Sequence, residues 1–156
     1  ENGYTMGSTV INSSMQIPKF YITAERDLLS APLDKIQIVK GWTEDGNEKE
    51  VVYDVVCSDD REINNKKNRC KPTKAKVDFN NCSFNENFGA DRLEILWTDE
   101  KYSFEQNAFY YVRAIENPTC RWSTYDSIRI DEKPSKNYPK IMREMAWSSP
   151  IWIKNN

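Results

Sequence analysis

The densest run of chemistry-bearing side chains is Arg121-Trp122-Ser123-Thr124-Tyr125-Asp126. It joins a guanidinium, an indole, two hydroxyls, a phenol and a carboxylate within six positions. One reading is a loop that contacts a carbohydrate or an anion, or that docks on a partner domain, because loops on a rigid scaffold commonly carry binding residues. The favoured reading is simpler: a turn held by Ser, Thr and Asp side-chain bonds to the backbone, with Trp122 packed as a plug. Trp147, followed by Ser148-Ser149, is the second candidate. Its favoured reading is an aromatic core anchor at the start of the last strand. Asp59, Asp60 and Glu62 offer oxygens to calcium, but their spacing matches no calcium loop. The nearby Lys66, Lys67 and Arg69 mark a solvated loop instead. No metal site is assigned. Asn12-Ser13-Ser14 and Asn81-Cys82-Ser83 match the glycosylation sequon, which matters only in a eukaryotic secreted protein.

The chain contains no histidine. Histidine is the usual general base near neutral pH and the commonest metal ligand. A Ser-His-Asp triad, a Cys-His pair and a histidine-bearing zinc site are therefore impossible within these residues. Five glycines in the whole chain argue against a Gly-rich phosphate cradle, and no cofactor and no catalytic residue are assigned. The 156 residues suit one domain, against roughly 100–200 residues per domain. The 22 basic and 24 acidic residues are interspersed, with a net charge of −2. That pattern lacks the basic face a nucleic-acid binder needs. No apolar run approaches the ~20 residues of a membrane helix, so no membrane insertion is expected. Glu1 opens directly into polar sequence, so any export signal is expected to have been removed or to lie upstream.

Cys57, Cys70, Cys82 and Cys120 form no C-x-x-C pair, which weakens zinc and thioredoxin readings. An even count at wide spacing fits two disulfides, and hence a periplasmic or secreted location. Three pairings are open. Cys70–Cys82 with Cys57–Cys120 is preferred, because the strands before Cys57 and Cys120 are expected to end at one sheet edge. Cys57–Cys70 with Cys82–Cys120 is the rival.

The elements that must position these groups are strands. Lys35 to Trp42 starts with clean alternation, Ile36 and Ile38 against Lys35 and Gln37, the period of a half-buried strand. Asp45-Gly46 supplies turn chemistry, and Val51 to Cys57 is the hairpin partner. Ile17 to Thr23, Val77 to Phe84, Leu93 to Thr98 and Ala108 to Ile115 are further strands. The last is bulky on both faces, as a central strand is. Residues 1–16 read as a polar leader with one edge strand, and 58–76 as a charged loop tethered by Cys70. Pro139 to Met145 is expected to form the single short helix, with Ile141, Met142 and Met145 at helical spacing. Trp147 to Ile153 is the final strand, with Pro150 at an edge or bulge. Six to eight short strands and at most one helix predict an all-β chain, an antiparallel β-sandwich of immunoglobulin or fibronectin type with long loops.

The strings LDKIQIVKGW (Leu33 to Trp42), VYDVVCSDDR (Val52 to Arg61), AFYYVRAIENPTCRWSTYD (Ala108 to Asp126) and AWSSPIWI (Ala146 to Ile153) resemble the C-terminal portion of the domain of unknown function 3604 family. The resemblance runs in order from about Met6 to Ile153, and the cysteine-bearing form is similar at all four cysteines. It implies a larger, exported protein whose N-terminal portion looks like a histidine-rich, metal-dependent hydrolase. Nothing in this chain matches that portion. The expected function is thus a non-catalytic domain that packs on or caps an upstream catalytic domain or partner chain through Arg121 to Asp126 and Trp147. The alternative is a free-standing extracellular binding or assembly module.

Overall fold

The computed structural model describes residues 3–155, so residues 1 and 2 of the expected leader lie outside it. In chain order the elements are β1 (Thr9–Ile11), β2 (Lys19–Glu25), β3 (Leu33–Glu44) and β4 (Asn47–Cys57). Four two-residue strands follow, β5 (Ile63–Asn64), β6 (Arg69–Cys70), β7 (Val77–Asp78) and β8 (Ser83–Phe84). Then come β9 (Arg92–Thr98), β10 (Ala108–Glu116), β11 (Thr119–Cys120), helix α1 (Trp122–Arg129), β12 (Ile141–Met142), β13 (Met145–Trp147) and β14 (Ile151–Lys154). The chain is mostly β, with one short helix and several sheets.

The β3–β4 hairpin forms where the alternation and the Asp-Gly turn place it. Asp45 and Gly46 both have left-handed φ, 51° and 76°, as a two-residue primed turn requires. Strand β10 pairs with β3 on one side and with β13 and β14 on the other, giving the main sheet the order β1-β14-β10-β3-β4. The final strand is split: Pro150, which has no N–H to donate, separates β13 from β14. The sheet is mixed rather than purely antiparallel, because β1 runs parallel to β14. These strands come from opposite ends of the chain, so no tight hairpin dictates their direction.

A two-stranded ribbon, β2 with β9, packs over one face of the main sheet. The core lies between them: Ile36, Ile38, Ala108, Tyr110 and Ile153 from the sheet meet Ile22 and Leu93 from the ribbon. Phe20 lies 4.7 Å from Tyr110, and Trp97 lies 5.3 Å from Tyr53, ring centroid to centroid. Lys40 shares the phase of Ile36 and Ile38, so its side chain also enters this core, where the residue is only 2% exposed. There its ammonium pairs with Asp99 at 2.6 Å, just beyond the end of β9. Trp42, Tyr102 and Tyr110 surround the charge at 5.1, 5.5 and 5.8 Å. The Tyr110 hydroxyl donates to Asp99 at 2.7 Å. Burial, reinforced by that carboxylate, pushes the Tyr110 hydroxyl far above the ordinary tyrosine range, so it stays a donor.

A bulge between Ile36 and Gln37 leaves Val55 unopposed and turns Asp54 toward Lys35 and Gln37. Asp54 accepts from Lys35 Nζ at 2.8 Å, from Gln37 Nε2, and from the Cys70 amide at 2.8 Å. Burial alone would raise its carboxyl; the Lys35, Cys70 and Gln37 hydrogen bonds, with the Lys35 charge, hold it below the usual range. The disulfides are Cys57–Cys70 and Cys82–Cys120, which overturns the preferred pairing. The reason lies in the charged loop. It folds into the β5–β6 ribbon and returns Cys70 to the end of β4, while β8 brings Cys82 to β11.

Two outcomes follow for stability. Lys40→Met or Asp99→Leu alone strands a buried charge and is expected to cost ~3–5 kcal/mol, whereas the double variant recovers much of that loss. Urea unfolding of the four proteins in a double-mutant cycle measures it. Asp54→Asn is expected to cost about 1–3 kcal/mol at neutral pH. Because the folded carboxyl is depressed, the native contribution is present above about pH 4 and is lost as pH falls through the folded value. The gap between Asp54→Asn and the native chain should therefore close in acid, as read by thermal melts against pH.

Candidate functional site

Helix α1 occupies the stretch expected to be a polar loop, while Pro139 to Met145 is not helical. Ile141 and Met142 instead pair as β12 with Thr119 and Cys120, and Met145 opens β13 on β10. Backbone pairing with strands fixed elsewhere outweighs the helical spacing of three apolar residues. Arg121 caps α1 in extended geometry, and its amide donates to the Lys140 carbonyl at 2.9 Å. The adjacent disulfide ties Cys120 to Cys82, and Tyr125 donates its hydroxyl to the Cys82 carbonyl at 3.2 Å.

These contacts divide the six candidate residues. Thr124 is buried and donates to the Lys140 carbonyl. The Ser123 carbonyl accepts from the Ser127 hydroxyl, and the Tyr125 hydroxyl is committed to the Cys82 carbonyl. Trp122 is 64% exposed, not a plug, and Asp126 is also exposed. The Arg121 guanidinium lies over Tyr138 at 5.0 Å and Trp122 at 5.7 Å. Lys140 lies over Phe79 at 5.5 Å beside them. What remains at the surface is a cation–aromatic patch of Arg121, Trp122, Tyr138, Lys140 and Phe79.

Trp147 belongs to a different surface. It is 62% exposed and anchors no core. Strand β13 sets it directly opposite Arg113 on β10, and β14 sets Trp152 opposite Phe109. Side chains of directly paired residues share a face, so Trp152, Phe109, Tyr111, Arg113 and Trp147 all lie on the face away from the core. They run along roughly 14 Å of β10. Phe109 stacks nearly parallel with Tyr111, and its ring centroid is 5.0 Å from that of Trp152. Gly41 lies across from Phe109 on β3, and a Cβ there would come within 2.3 Å of the Phe109 ring. The ring lies flat on the β3 backbone because that side chain is missing. Arg113 Nε is buried without a hydrogen-bond partner. At the end of this face a cleft of about 690 Å³ opens among Gly41, Trp42, Phe109, Trp152, Glu48 and Glu50. Trp42 Nε1 is likewise buried without a partner.

Of this face, sequence reasoning names only Trp147; it missed Phe109, Tyr111, Arg113 and Trp152, although a signal was present. Phe109, Tyr111 and Arg113 alternate with the core residues Ala108, Tyr110 and Val112, and Trp147 and Trp152 flank Pro150, which splits the final strand. In the acidic loop Asp59 accepts the Gly89 amide at 2.9 Å, and exposed Glu62 pairs with exposed Lys71 at 2.6 Å. Among the described residues, no group of Cys, Asp or Glu side chains is placed to hold a metal ion. No described helix is long and apolar enough to cross a membrane. The two disulfides suggest an oxidising, extracytoplasmic environment.

A family model for a "Protein of unknown function (DUF3604)" matches residues 1–155. No curated protein and no solved structure matches the chain.

Removing the Cys82–Cys120 bridge tests how the α1 patch is held. The Cys82→Ser/Cys120→Ser variant is expected to lose ~2–5 kcal/mol. Non-reducing peptide maps of the native chain should show Cys57 joined to Cys70 and Cys82 joined to Cys120, and amide exchange in α1 should rise in the variant.

Proposed function

The chain belongs to the DUF3604 family, and on that premise we propose that it is a non-catalytic C-terminal domain of a larger exported protein. It packs through the outer face of its main sheet on a metal-dependent, hydrolase-like domain of the same protein. The observation that carries this reading is the aromatic row Trp152, Phe109, Tyr111 and Trp147, with the unpartnered Arg113 Nε at its end. Aromatic residues and arginine are the side chains enriched where one protein surface is buried on another. The absence of histidine supports a supporting rather than a catalytic role. Arg121 and Trp122 offer a second contact to the same partner. The two disulfides favour the periplasm or the exterior. The ribbon packed over the main sheet supports an immunoglobulin-like sandwich with a reduced second layer.

A second reading, a free-standing extracellular binding module, draws on the cleft beside Trp42, Phe109 and Trp152. Hydroxyl-radical footprinting separates the two. In the native full-length protein, Trp147 and Trp152 are expected to be protected several-fold relative to the isolated chain. Equal modification in both, or a native gene without a histidine-rich upstream portion, overturns the docking reading and leaves the binding module.

A further inference from the structure

The ribbon has an edge that nothing among the described residues covers. The Asp99 amide donates to the Pro18 carbonyl at 3.1 Å, and the Arg26 amide to the Asp91 carbonyl at 3.0 Å. The pairs 18–99 and 26–91 are thus hydrogen-bonded pairs, and such pairs recur at every second position of an antiparallel ladder. In between, Phe20, Ile22 and Ala24 turn their backbone groups to β9. Lys19, Tyr21, Thr23 and Glu25 therefore turn theirs outward. The far edge of β9 lies over β4, but β2 belongs to a two-stranded sheet and ends it. Natural edge strands are usually blunted by proline, a bulge, an inward charge or shortness. Strand β2 has seven residues, a continuous register with β9, no proline and only apolar residues facing inward.

The sequence of β2, KFYITAE, is complementary to itself when two copies run antiparallel about Ile22. Lys19 then faces Glu25 at both ends, Tyr21 faces Thr23, Phe20 faces Ala24, and Ile22 faces Ile22. The backbone agrees with this register. It pairs only outward-facing residues with outward-facing residues, allowing about eight hydrogen bonds between the copies. Lys19 makes no ion pair among the described residues, while Glu25 is exposed and reaches only Arg92, at 3.6 Å.

The flanking residues fit the same symmetry. Leu28 and Leu29, just after β2, are 76% and 92% exposed, and Met15 and Ile17, just before it, are also exposed. Because Glu25 of one copy faces Lys19 of the other, the turn that carries Leu28 and Leu29 lies at the end of β2 where the other copy's residues 15–17 enter the strand. Next to those residues lies a cleft of about 1030 Å³ with a mixed lining, in which Val10, Ile11, Phe20, Ile151 and Ile153 supply the apolar part and Asn12, Ser14 and Gln16 a polar part. Two neighbouring bare leucines beside exposed Met15 and Ile17 are otherwise a costly exposure.

We propose that β2 is a homodimer edge: two copies pair antiparallel about Ile22, join their ribbons into one four-stranded sheet, and cap each other's cleft with Leu28 and Leu29. This interface is isologous, as a two-fold dimer requires. It lies on the ribbon, away from the outer face of the main sheet, so it stands or falls independently of the docking reading.

Sedimentation equilibrium on the full 156-residue chain across the micromolar range tests it. The native chain is expected to dimerise. Lys19→Glu or Glu25→Lys alone sets like charges opposite each other twice and should weaken association by on the order of tenfold or more. The double variant Lys19→Glu/Glu25→Lys restores the opposition with the signs exchanged and should recover the native affinity. Thr23→Pro deletes an outward-facing donor without touching the β9 ladder and should give a monomer; thermal melts monitor its folding, and the charge exchange decides if it melts early. A native chain that stays monomeric throughout, or a dimer indifferent to the single charge changes, overturns the proposal.

Discussion

The Lys40–Asp99 pair is the contact on which the arrangement of layers depends. Apolar packing is non-directional and alone would let a two-stranded ribbon slide or rotate over the sheet. A buried charge pair does not tolerate such movement, because any displacement leaves an ammonium or a carboxylate stranded in a medium that cannot solvate it. Lys40 projects from the middle of β3, and Asp99 follows the last residue of β9, so the pair pins one end of the ribbon to the centre of the sheet. The Tyr110 hydroxyl and the Lys101 amide complete the acceptor sites on Asp99, and three aromatic rings complete the cage around Lys40.

The polar half of the chain is held by a second kind of constraint. The stretch from Ser58 to Asp91 buries few apolar side chains, so it cannot be ordered by the core. It is stitched instead at fixed points: Cys70 to Cys57, Cys82 to Cys120, and the Gly89 amide to Asp59. Buried Asn117 joins in, donating to the Phe88 carbonyl and accepting from Thr73. Gly89 has a left-handed φ of 105°, and a Cβ there would meet Pro32 and Asn117 at 2.5 and 2.6 Å. The loop can approach the main sheet so closely only because that position is bare. The same stitching sets the α1 patch, because Cys120 and Tyr125 both attach to Cys82.

With the core and the loops fixed in this way, the molecule presents three surfaces built on ordered elements: the outer face of the main sheet, the free edge of β2, and the patch around Arg121. Sequence alternation alone marks residues that leave the core, without showing whether anything covers them. The aromatic row on β10 comes from the same strand as Tyr110, yet the two sides of that strand have opposite fates. The ribbon covers one side, and no described element closes over the other.

The sequence by itself determined the long strands and the hairpin. The period-2 patterns of β3, β9 and β10 and the Asp45-Gly46 turn are local properties, legible in any short window. It also determined the chemistry that is excluded, since a chain without histidine cannot hold a histidine-based centre in any fold. Only the tertiary structure decided the cysteine partners, because connectivity depends on where the charged loop returns. It placed the helix at Trp122–Arg129 and gave Ile141–Met142 to a strand, because β11 was waiting with unpaired backbone. It also sent Lys40 inward and left Trp122 and Trp147 outside. Residue type predicts the opposite in each case, and what reversed it was the partner that each site supplied or withheld: Asp99 for the lysine, and no described covering layer for the tryptophans.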